Sequence, residues 1–556
     1  MSEFIYFNTK GLEFPLGEHI SVSSSIPKEK EPYIVSNSSA VEAQIIANEI
    51  DFYISNSQDS IAKQMKNVEK LYEMNAIRFD LAQDIDYKQD VSNTVLLIGS
   101  KEEQKEFMQS IKPDEFDLFY MNASQMVSMS GSIGHLSVVA KDPTKNKDVV
   151  LKVSQVVWFG QGEIARRQSG TLDPLESSIA QVVSKIRNNI THYNYKKFTS
   201  YDPSICQYHE RREEVCGRCV DVCPTTAIVK VDAQKHLEFS QIDCHGCGGC
   251  ISVCPSGALD YAPTPRESIF KMARHLNGHI PLIVPQKMTL DIEIALKEDV
   301  LPFTIEGEKF LHEASLLTLL QESGSQLIFY TDFLSKGTGD AIKILNSIYQ
   351  RKYAKDAIFV ASNTKELEAV MKDASFIEGS RFTFNEENAK KREIFAYRLS
   401  QIVGEENLGE VKTGEHIHYG TVRVNESKCT LCLSCVGACN VDALIADPDT
   451  YELKLNPSIC TSCGYCELSC PEQDCLSIEH DSIQLEPSWF HQSVIAKDTL
   501  FACLECGEHF ATTKSVEKIA NIMEPLFRGN DIKVRTLYCC ENCKPKLMIK
   551  EGLLNA

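Results

Sequence analysis

The sequence predicts a multidomain protein of mixed α/β and α+β class. A chain of 556 residues exceeds what one hydrophobic core usually organises, so several domains are expected. The 22 cysteines occupy two central blocks and the C-terminal segment, whereas the regions before and between the blocks alternate strand-like and helix-like stretches. The predicted order is an α/β region, a cysteine module, a second α/β domain, a second cysteine module and a segment with cysteine pairs, at residues 1–200, 201–265, 266–415, 416–485 and 498–556.

The first 200 residues alternate short apolar runs with helix-like stretches. Two further runs, Leu136–Ala140 and Val149–Trp158, flank a turn-like segment and predict a β-hairpin. No Gly-x-Gly-x-x-Gly sequence opens a helix here, so no motif supports a dinucleotide site. The pattern predicts strands at Pro32–Ser36, Phe52–Ile54, Val95–Ile98 and Leu118–Met121, and helices at Ala40–Glu49, Ser60–Met74 and Lys101–Ser110.

The region between the cysteine blocks predicts a mostly parallel sheet with helices on both faces. Helix-like stretches near residues 290, 310, 341 and 365 alternate with its apolar runs. The glycine-containing segment Ser335–Asp340 follows a strand and precedes a helix, and we interpret it as a loop with a helix cap at Asp340 in preference to an anion site. The predicted strands are His279–Val284, Leu301–Ile305, Gln326–Tyr330 and Ala357–Ala361.

The most specific motif is the cysteine run between Asp243 and Pro255. Its spacing, C-x2-C-x2-C-x3-C-P, is the one that binds a cubane [4Fe-4S] cluster. Two-residue gaps place three thiolates on three corners of one cluster, and small residues in the gaps let backbone N–H groups approach its sulfurs. In such a run the fourth cysteine ligates a second cluster, so Cys254 predicts a partner run.

The partner run lies upstream and is irregular. Nine residues, 207–215, separate Cys206 from the next cysteine, and we expect this charged insertion to extend into solvent while Cys206 still ligates a cluster. A [3Fe-4S] cluster is the alternative if Cys206 does not reach. The crossover rule then predicts two ligand sets. The Cys206 set is Cys206, Cys216, Cys219 and Cys254, and the Cys244 set is Cys244, Cys247, Cys250 and Cys223.

The second block repeats the first. The separation from Cys439 to Cys460 equals that from Cys223 to Cys244, which indicates a duplicated module with a hairpin between its two runs. Asn440 replaces the proline that usually follows such a run, and Cys475 is expected to be a packed free thiol. The Cys429 set is predicted as Cys429, Cys432, Cys435 and Cys470, and the Cys460 set as Cys460, Cys463, Cys466 and Cys439.

Both blocks resemble the bacterial-type two-cluster ferredoxin family. The resemblance implies two ferredoxin-like dicluster modules, each built from hairpins and short helices and each moving single electrons between neighbouring clusters. A cubane held by four thiolates has no open coordination position, so it conducts electrons and does not bind substrate. The sequence therefore predicts four [4Fe-4S] clusters.

Two Cys-x-x-Cys pairs near the C-terminus look like a zinc ribbon or treble clef. Four thiolates in two chelating turns form a closed tetrahedral site, which suits structural Zn²⁺ and leaves no catalytic position. A rubredoxin-like iron site is the alternative. Cys539 is adjacent to one pair and is a possible substitute ligand, whereas His509 is expected at the surface. The predicted ligands are Cys503, Cys506, Cys540 and Cys543.

The overall order of regions resembles the cytoplasmic multi-cluster ferredoxins of proteobacteria that are associated with formate dehydrogenase. The segments Phe501–Phe510 and Cys540–Lys544 are similar to the C-termini of that group. Val300–Tyr330 resembles the delta-subunit domain of methyl-viologen-reducing hydrogenase, and Leu136–Gly160 resembles the flavoprotein component of heterodisulfide reductase. The cysteines of the first and the glycine-rich loop of the second are missing here. The resemblance thus implies degenerate scaffolds retained for docking, with region 1–200 degenerate nucleotide-binding-like and region 266–415 hydrogenase delta-like.

Charge and composition limit the partners. A net charge of −20 disfavours nucleic acid and anionic membrane surfaces, and it suits docking to a basic patch on a redox partner. The N-terminus lacks the pattern of a secretion signal, and no apolar run approaches the ~20 residues of a membrane span. A cytoplasmic location is therefore expected, with metal ligation in place of disulfides.

These features predict a soluble electron carrier, not itself an enzyme, that relays electrons to or from a redox enzyme such as formate dehydrogenase. Two alternatives stay open. One is a subunit of a flavin- or NAD(P)-linked oxidoreductase with the nucleotide in the N-terminal region, and the other is an accessory factor for maturation of a redox enzyme. The oligomeric state is unknown from the sequence.

Overall fold

The computed structural model describes residues 4–7, 14–25, 33–36, 45–142 and 147–550. Three predicted features fall partly outside these ranges: Pro32 of the first predicted strand, residues 40–44 of the first predicted helix, and residues 143–146 of the hairpin turn. Among the described residues, none of the helices combines the length and the apolar character that crossing a membrane requires.

The N-terminal elements form a parallel sheet in the order β2-β1-β3-β4, followed by two helices. The predicted strand Phe52–Ile54 is wrong, because it lies within a helix that buries Ile50 and Tyr53 three residues apart on one face. The predicted helix Ala40–Glu49 is wrong at Ile45–Ile46, which is a strand. The elements are β1 (Phe4–Phe7), β2 (Ile20–Ser23), β3 (Tyr33–Ser36), β4 (Ile45–Ile46), α1 (Asn48–Asn56) and α2 (Ile61–Leu81).

The next unit has a parallel sheet, β12-β11-β6-β7, and an antiparallel sheet, β10-β9-β8. It confirms the predicted strands Val95–Ile98 and Leu118–Met121 and the hairpin. The run Val149–Trp158 divides at Ser154, whose N–H donates to Thr94 Oγ1 at 2.9 Å, and its second half joins the parallel sheet. The elements are β5 (Asp86–Val91), β6 (Thr94–Ile98), α3 (Lys101–Gln109), β7 (Asp117–Met121), β8 (Met126–Ser130), β9 (Leu136–Lys141), β10 (Asp148–Val153), β11 (Gln155–Trp158), α4 (Gly162–Arg167), β12 (Thr171–Leu172), α5 (Ile179–Asn189) and β13 (Thr191–Lys196).

The first cysteine block consists of two antiparallel strand pairs and two short helices. The pair β14–β17 brackets the block, and the hairpin β15–β16 separates its two cysteine runs. The elements are β14 (Thr199–Tyr201), α6 (Arg218–Asp221), β15 (Ile228–Val231), β16 (His236–Phe239), α7 (Gly249–Ser252) and β17 (Leu259–Tyr261).

The middle domain has an entirely parallel sheet in the order β19-β18-β20-β21, which confirms the predicted parallel sheet. The helix predicted near residue 290 is wrong. The backbone at Leu296 exchanges hydrogen bonds with Asn56 and Gln58, so this segment is tied to the end of α1. The elements are α8 (Arg266–Ala273), β18 (Ile280–Pro285), β19 (Val300–Ile305), α9 (Glu313–Ser323), β20 (Leu327–Tyr330), α10 (Lys336–Tyr353), β21 (Ile358–Ala361), α11 (Thr364–Asp373) and α12 (Lys391–Val403).

The second cysteine block has the same arrangement as the first. The pair β23–β26 brackets it, and the hairpin β24–β25 lies between its cysteine runs. The last segment adds a strand pair and three helices. The elements are β22 (Glu410–Lys412), β23 (Gly420–Val424), α13 (Ser434–Ala438), β24 (Leu444–Asp447), β25 (Glu452–Leu455), α14 (Tyr465–Leu468), β26 (Leu476–His480), β27 (Ser482–Gln484), β28 (Ser493–Lys497), β29 (Leu500–Ala502), β30 (His509–Thr512), α15 (Thr513–Met523), α16 (Asp531–Thr536) and α17 (Cys543–Lys550).

One continuous hydrophobic core joins the N-terminal helices, the first cysteine block and the middle domain. Tyr72 of α2, Cys254 of the first block and Leu282 of β18 all belong to it. The second block has its own core, and the unit from β5 to β13 has two. The first block is therefore held inside the protein by its neighbours, and the described part of region 1–200 contributes to separate cores.

Candidate metal centres

In the first block, cysteines of the two runs lie close enough for their charges to act on one another. Burial, together with the thiolates of Cys254 and Cys206, raises the pKa of Cys216 to about 11. Burial and the same neighbours also raise the pKa of Cys219. Cys216 and Cys219 would therefore be costly to ionise without a positive partner.

The second set of the first block lies beside the Cys206 set. Burial raises the pKa of Cys250 well above its usual range, and the thiolates of Cys219, Cys244, Cys247 and Cys223 add to the effect. Cys219 belongs to the Cys206 set, so its influence on Cys250 makes the two sets immediate neighbours.

The second block repeats this arrangement. Burial and the thiolates of its set raise the pKa of Cys435 to about 12. Burial and the thiolates of Cys460, Cys463 and Cys439 raise the pKa of Cys466, and Cys435 of the other set contributes too. The Cys429 set and the Cys460 set are thus also immediate neighbours.

Backbone N–H groups point at the first sulfur of each run. The N–H two residues after the cysteine donates to its Sγ, at 3.4 Å from Ser462 to Cys460. The same contact is made by the N–H groups of Arg218, Gly246 and Leu431. Gly246, Leu431 and Ser462 are in the left-handed region, at φ of 66°, 52° and 52°. Hydrogen bonds of this kind stabilise thiolates and tune cluster potentials.

Cys206 is placed like the first cysteine of a regular run. The N–H of Tyr208 donates to its Sγ at 3.4 Å, the same distance as in the Cys460 run. A 3-10 turn precedes both cysteines, Pro203–Ile205 in one case and Pro457–Ile459 in the other. The sequence carries this signal as the repeated Pro-Ser-Ile-Cys, which cysteine spacing alone does not reveal.

Cys475 lies against the Cys429 set. It is 4% exposed, in agreement with a packed thiol. Burial, followed by the neighbouring thiolates of Cys429 and Cys470, raises the pKa of Cys475 to about 12. Its thiol is therefore neutral at physiological pH and can donate toward the sulfurs of this set.

Two basic residues at the start of α12 donate hydrogen bonds to the turn that contains Cys254. Neither residue was predicted from the sequence as part of the site. Lys391 Nζ donates to the carbonyl of Cys254 at 3.0 Å, and Arg392 Nε donates to the carbonyl of Pro255 at 2.9 Å. Lys391 is 1% exposed and Arg392 is 3% exposed. Burial lowers the pKa of Lys391, and the charges on Glu313 and Cys254 oppose that shift. The positive charges of Lys391 and Arg392 suit a site that holds an anionic cluster.

Arg218 is affected by cysteines of both blocks. Burial lowers the pKa of its guanidinium, as does the charge of Arg392, whereas the thiolates of Cys216, Cys254 and Cys463 oppose the shift. Cys463 belongs to the second block.

The Ser335–Asp340 segment is packed against the first block. Ser335 caps α10 by accepting from the N–H of Thr338 at 3.2 Å, so the predicted cap at Asp340 is wrong. A Cβ on Gly337 would lie only 2.4 Å from Ser252 Oγ, so the close approach of α10 to α7 requires glycine at this position.

A cavity of about 530 Å³ opens beside this contact, lined by residues that include Arg218, Lys309, Lys336, Asp221 and Glu415.

The C-terminal pairs converge as predicted. The sulfurs of Cys503, Cys506, Cys540 and Cys543 lie within 4.8 Å of one another. Cys506 and Cys540 are 3.7 Å apart, close to the ~3.8 Å that a tetrahedral site with Zn–S bonds near 2.3 Å requires. Burial opposes ionisation of Cys503, but backbone N–H groups of Cys540, Cys506 and Glu505 outweigh it and lower the pKa of Cys503 to about 6.

Two neighbours of the C-terminal group stay outside it. Cys539 is fully buried and donates its S–H to the carbonyl of Arg535 at 3.3 Å, and its thiol also lies beside that of Cys503. His509 is exposed on β30, as predicted. The four sulfurs form a metal-binding group whose metal the geometry alone leaves open.

Comparison with known proteins identifies the class of site in the first block. The family model of the 4Fe-4S dicluster domain matches residues 214–258, a stretch that contains seven of the eight predicted ligands and excludes Cys206. The chain therefore contains an iron–sulfur dicluster domain that binds [4Fe-4S] clusters, and such a domain implies electron transfer.

Curated relatives match only a short part of the chain. It is 41% identical over 49 residues to indolepyruvate oxidoreductase subunit IorA of Pyrococcus abyssi (strain GE5 / Orsay), which is 9% of this chain and 8% of that relative. It is 42% identical over 48 residues to the same subunit of Thermococcus kodakarensis (strain ATCC BAA-918 / JCM 12380 / KOD1), covering 9% and 7%. Both likenesses are partial.

Proposed function

We propose that this protein is an electron carrier with four [4Fe-4S] clusters, held by the Cys206, Cys244, Cys429 and Cys460 sets. The observations that support the proposal are the match of residues 214–258 to a 4Fe-4S dicluster domain and the equivalent strand pairing of the second block around its own two cysteine runs. When bound, the clusters supply reversible one-electron chemistry. The chain's own residues bury the sulfurs, aim N–H groups at them and surround them with cations.

Iron and sulfide content tests the number of clusters. Purified without oxygen, the full-length protein should contain about sixteen iron and sixteen sulfide per chain, since each cubane holds four of each. A value near eight would overturn the four-cluster proposal and leave only the dicluster domain of the first block. The matched control is the Cys539→Ser variant, which removes a cysteine outside both cysteine blocks and should keep the full iron content.

We further propose that the partner is a redox enzyme such as formate dehydrogenase. The net charge of −20 suits a partner with a basic docking surface, and partial similarity to an oxidoreductase subunit supports a role beside such an enzyme. Anaerobic affinity purification at low salt should retain the partner, and moderate salt should release it. In the same preparation, formate should bleach the visible absorbance of the clusters. Stoichiometric flavin on the isolated chain would contradict a pure carrier.

For the C-terminal group we propose structural Zn²⁺. The 3.7 Å separation of Cys506 and Cys540 and the closed set of four thiolates fit tetrahedral zinc. Elemental analysis should find about one zinc per chain. Iron in its place, with a rubredoxin-type visible spectrum, would contradict zinc.

A further inference from the structure

The two departures from the regular cysteine motif, the insertion at 207–215 and Asn440 in place of proline, contact each other in the folded protein. Asn440, which stands where a proline usually follows the run, donates from Nδ2 to the carbonyls of Ser204 at 3.1 Å and Cys206 at 3.2 Å. Gln207, the first residue of the insertion, returns a hydrogen bond from Nε2 to Asn440 Oδ1 at 2.8 Å. The residue after the predicted ligand Cys439 is therefore hydrogen-bonded to the backbone and side chains around the predicted ligand Cys206.

The inner part of the insertion is buried against the second block, so the expectation of a solvated excursion is wrong for it. Arg211 is 9% exposed and donates from Nη1 to the carbonyl of Ala438 at 2.7 Å. Its guanidinium lies 4.4 Å from the centre of the Tyr465 ring. The N–H of Arg212 donates to Tyr465 Oη at 3.3 Å. Nε and Nη2 of Arg211 are buried without a hydrogen-bond partner, so the Nη1 bond to Ala438 and the contact with the Tyr465 ring hold the guanidinium between the blocks.

The junction also connects Cys206 Sγ to Cys439 Sγ through covalent bonds and a single hydrogen bond, a path along which an electron could pass. From Cys206 Sγ the covalent chain runs to its own carbonyl, one hydrogen bond leads to Asn440 Nδ2, and covalent bonds continue through the backbone to Cys439 Sγ. The junction therefore joins residues beside Cys206 and Cys439, which belong to the predicted Cys206 and Cys460 sets, whereas Cys432 of the Cys429 set is exposed.

We propose that the junction of Asn440, Gln207 and Arg211 with Cys206 and Tyr465 is the point where electrons cross between the two blocks. The four sets then follow one another as Cys244, Cys206, Cys460 and Cys429, with the two outer sets as the places of entry and exit. This inference rests on the proposed electron-carrier function, because it assumes that all four sets hold clusters.

The test compares junction variants with a matched surface variant. Asn440→Leu keeps the size of the side chain and removes its hydrogen bonds, and Arg211→Met removes the guanidinium but keeps the aliphatic part. Arg423→Met is the control, since Arg423 is an exposed arginine of the second block that contacts Glu479. All proteins are purified anaerobically at full length, and iron content must equal the wild-type value before comparison.

The expected result is a change confined to the two inner sets. In the Asn440→Leu and Asn440→Leu/Arg211→Met variants, the spin–spin interaction between the inner clusters in the EPR spectrum of the reduced protein should weaken. Electron equilibration between the blocks after flash photoreduction should slow several-fold. The Arg423→Met variant should behave as wild type. Unchanged coupling and unchanged equilibration in the double junction variant would overturn the inference.

The same measurements distinguish failure of the four-cluster carrier from failure of the assigned crossing point. If the wild-type protein contains only eight iron or shows no electron equilibration between its blocks, the four-cluster carrier itself fails. If the wild-type protein equilibrates and the junction variants do so equally fast, the carrier stands and the assigned crossing point fails.

Discussion

At the scale of single residues, Cys206 and Cys254 decide how the first block is assembled. Cys206 lies ten positions before Cys216 in the chain, yet its sulfur receives the same N–H contact as the first cysteine of a regular run. Cys254 belongs to the run at Cys244 by sequence, but its charge acts on Cys216 and Cys219. These charge interactions link Cys254 to the upstream run, which supports the proposed crossover of ligands.

Paired substitutions should reveal which cysteines share a cluster. Cys254→Ala should remove about four iron per chain, the content of one cubane. Because Cys254 and Cys216 belong to the same set, Cys254→Ala/Cys216→Ala should lose no more iron than Cys254→Ala. Cys254→Ala/Cys244→Ala should lose about twice as much, since it removes ligands from two sets. The reverse outcome, in which the second pair behaves as one, would overturn the crossover assignment.

At the scale of elements, α12 connects the middle domain to both cysteine blocks. Lys391 at its start forms an ion pair with Glu313 of α9 at 3.2 Å, and both side chains are almost fully buried. Glu313 also accepts from Tyr419 Oη at 3.0 Å, and Lys391 reaches the carbonyl of Cys254. A buried pair of this kind orients the helix and the cysteine turn together, and it is sensitive to the loss of one partner.

Removing one member of this pair should destabilise the protein strongly. Lys391→Met leaves Glu313 as an unpaired buried carboxylate, which should lower the free energy of unfolding by about 3–5 kcal/mol. Urea denaturation of the anaerobically purified protein, followed by circular dichroism, measures the change. The double variant Lys391→Met/Glu313→Gln carries no unpaired charge and should recover part of the loss. A double variant less stable than Lys391→Met alone would contradict this account.

At the scale of the whole molecule, the C-terminal segment covers the last cysteine set. The hydroxyls of Thr512 and Ser515 donate to the carbonyl of Thr430 at 3.0 and 2.8 Å, and Lys514 Nζ donates to the carbonyl of Glu426 at 2.7 Å. Lys518 pairs with Glu472. Thr430 is adjacent to Cys429. The hydrogen bonds to Thr430 therefore attach the segment that carries the C-terminal metal-binding group to the proposed Cys429 cluster.

Loss of the C-terminal metal should therefore expose the Cys429 set. Cys540→Ser removes one of the four converging thiolates, so the variant should lose its C-terminal metal. Iron should then be released faster on exposure to air, because the segment that shields Thr430 is no longer held in place. Cys539→Ser is the control, as Cys539 lies outside the group and should keep both metal and air stability. Equal rates of iron release in the two variants would sink the prediction.

Much of this molecule follows from short-range sequence patterns. The cysteine spacings determined which residues are candidate ligands, because chelation by neighbouring thiolates is a local geometric requirement. The middle parallel sheet was likewise predictable from alternating apolar runs, and so was the convergence of the C-terminal pairs. The strand predicted at Phe52–Ile54 failed because three apolar residues do not distinguish the two periodicities.

Only the tertiary structure decided what surrounds the sulfurs. Lys391 and Cys254 are 137 residues apart in the chain, and Asn440 and Cys206 are 234 apart, yet both pairs are hydrogen-bonded. No local pattern encodes such contacts, since they depend on how helices, sheet and cysteine blocks pack into shared cores. The sequence by itself determined the candidate ligands, and the packing decided their environment and the contacts between the blocks.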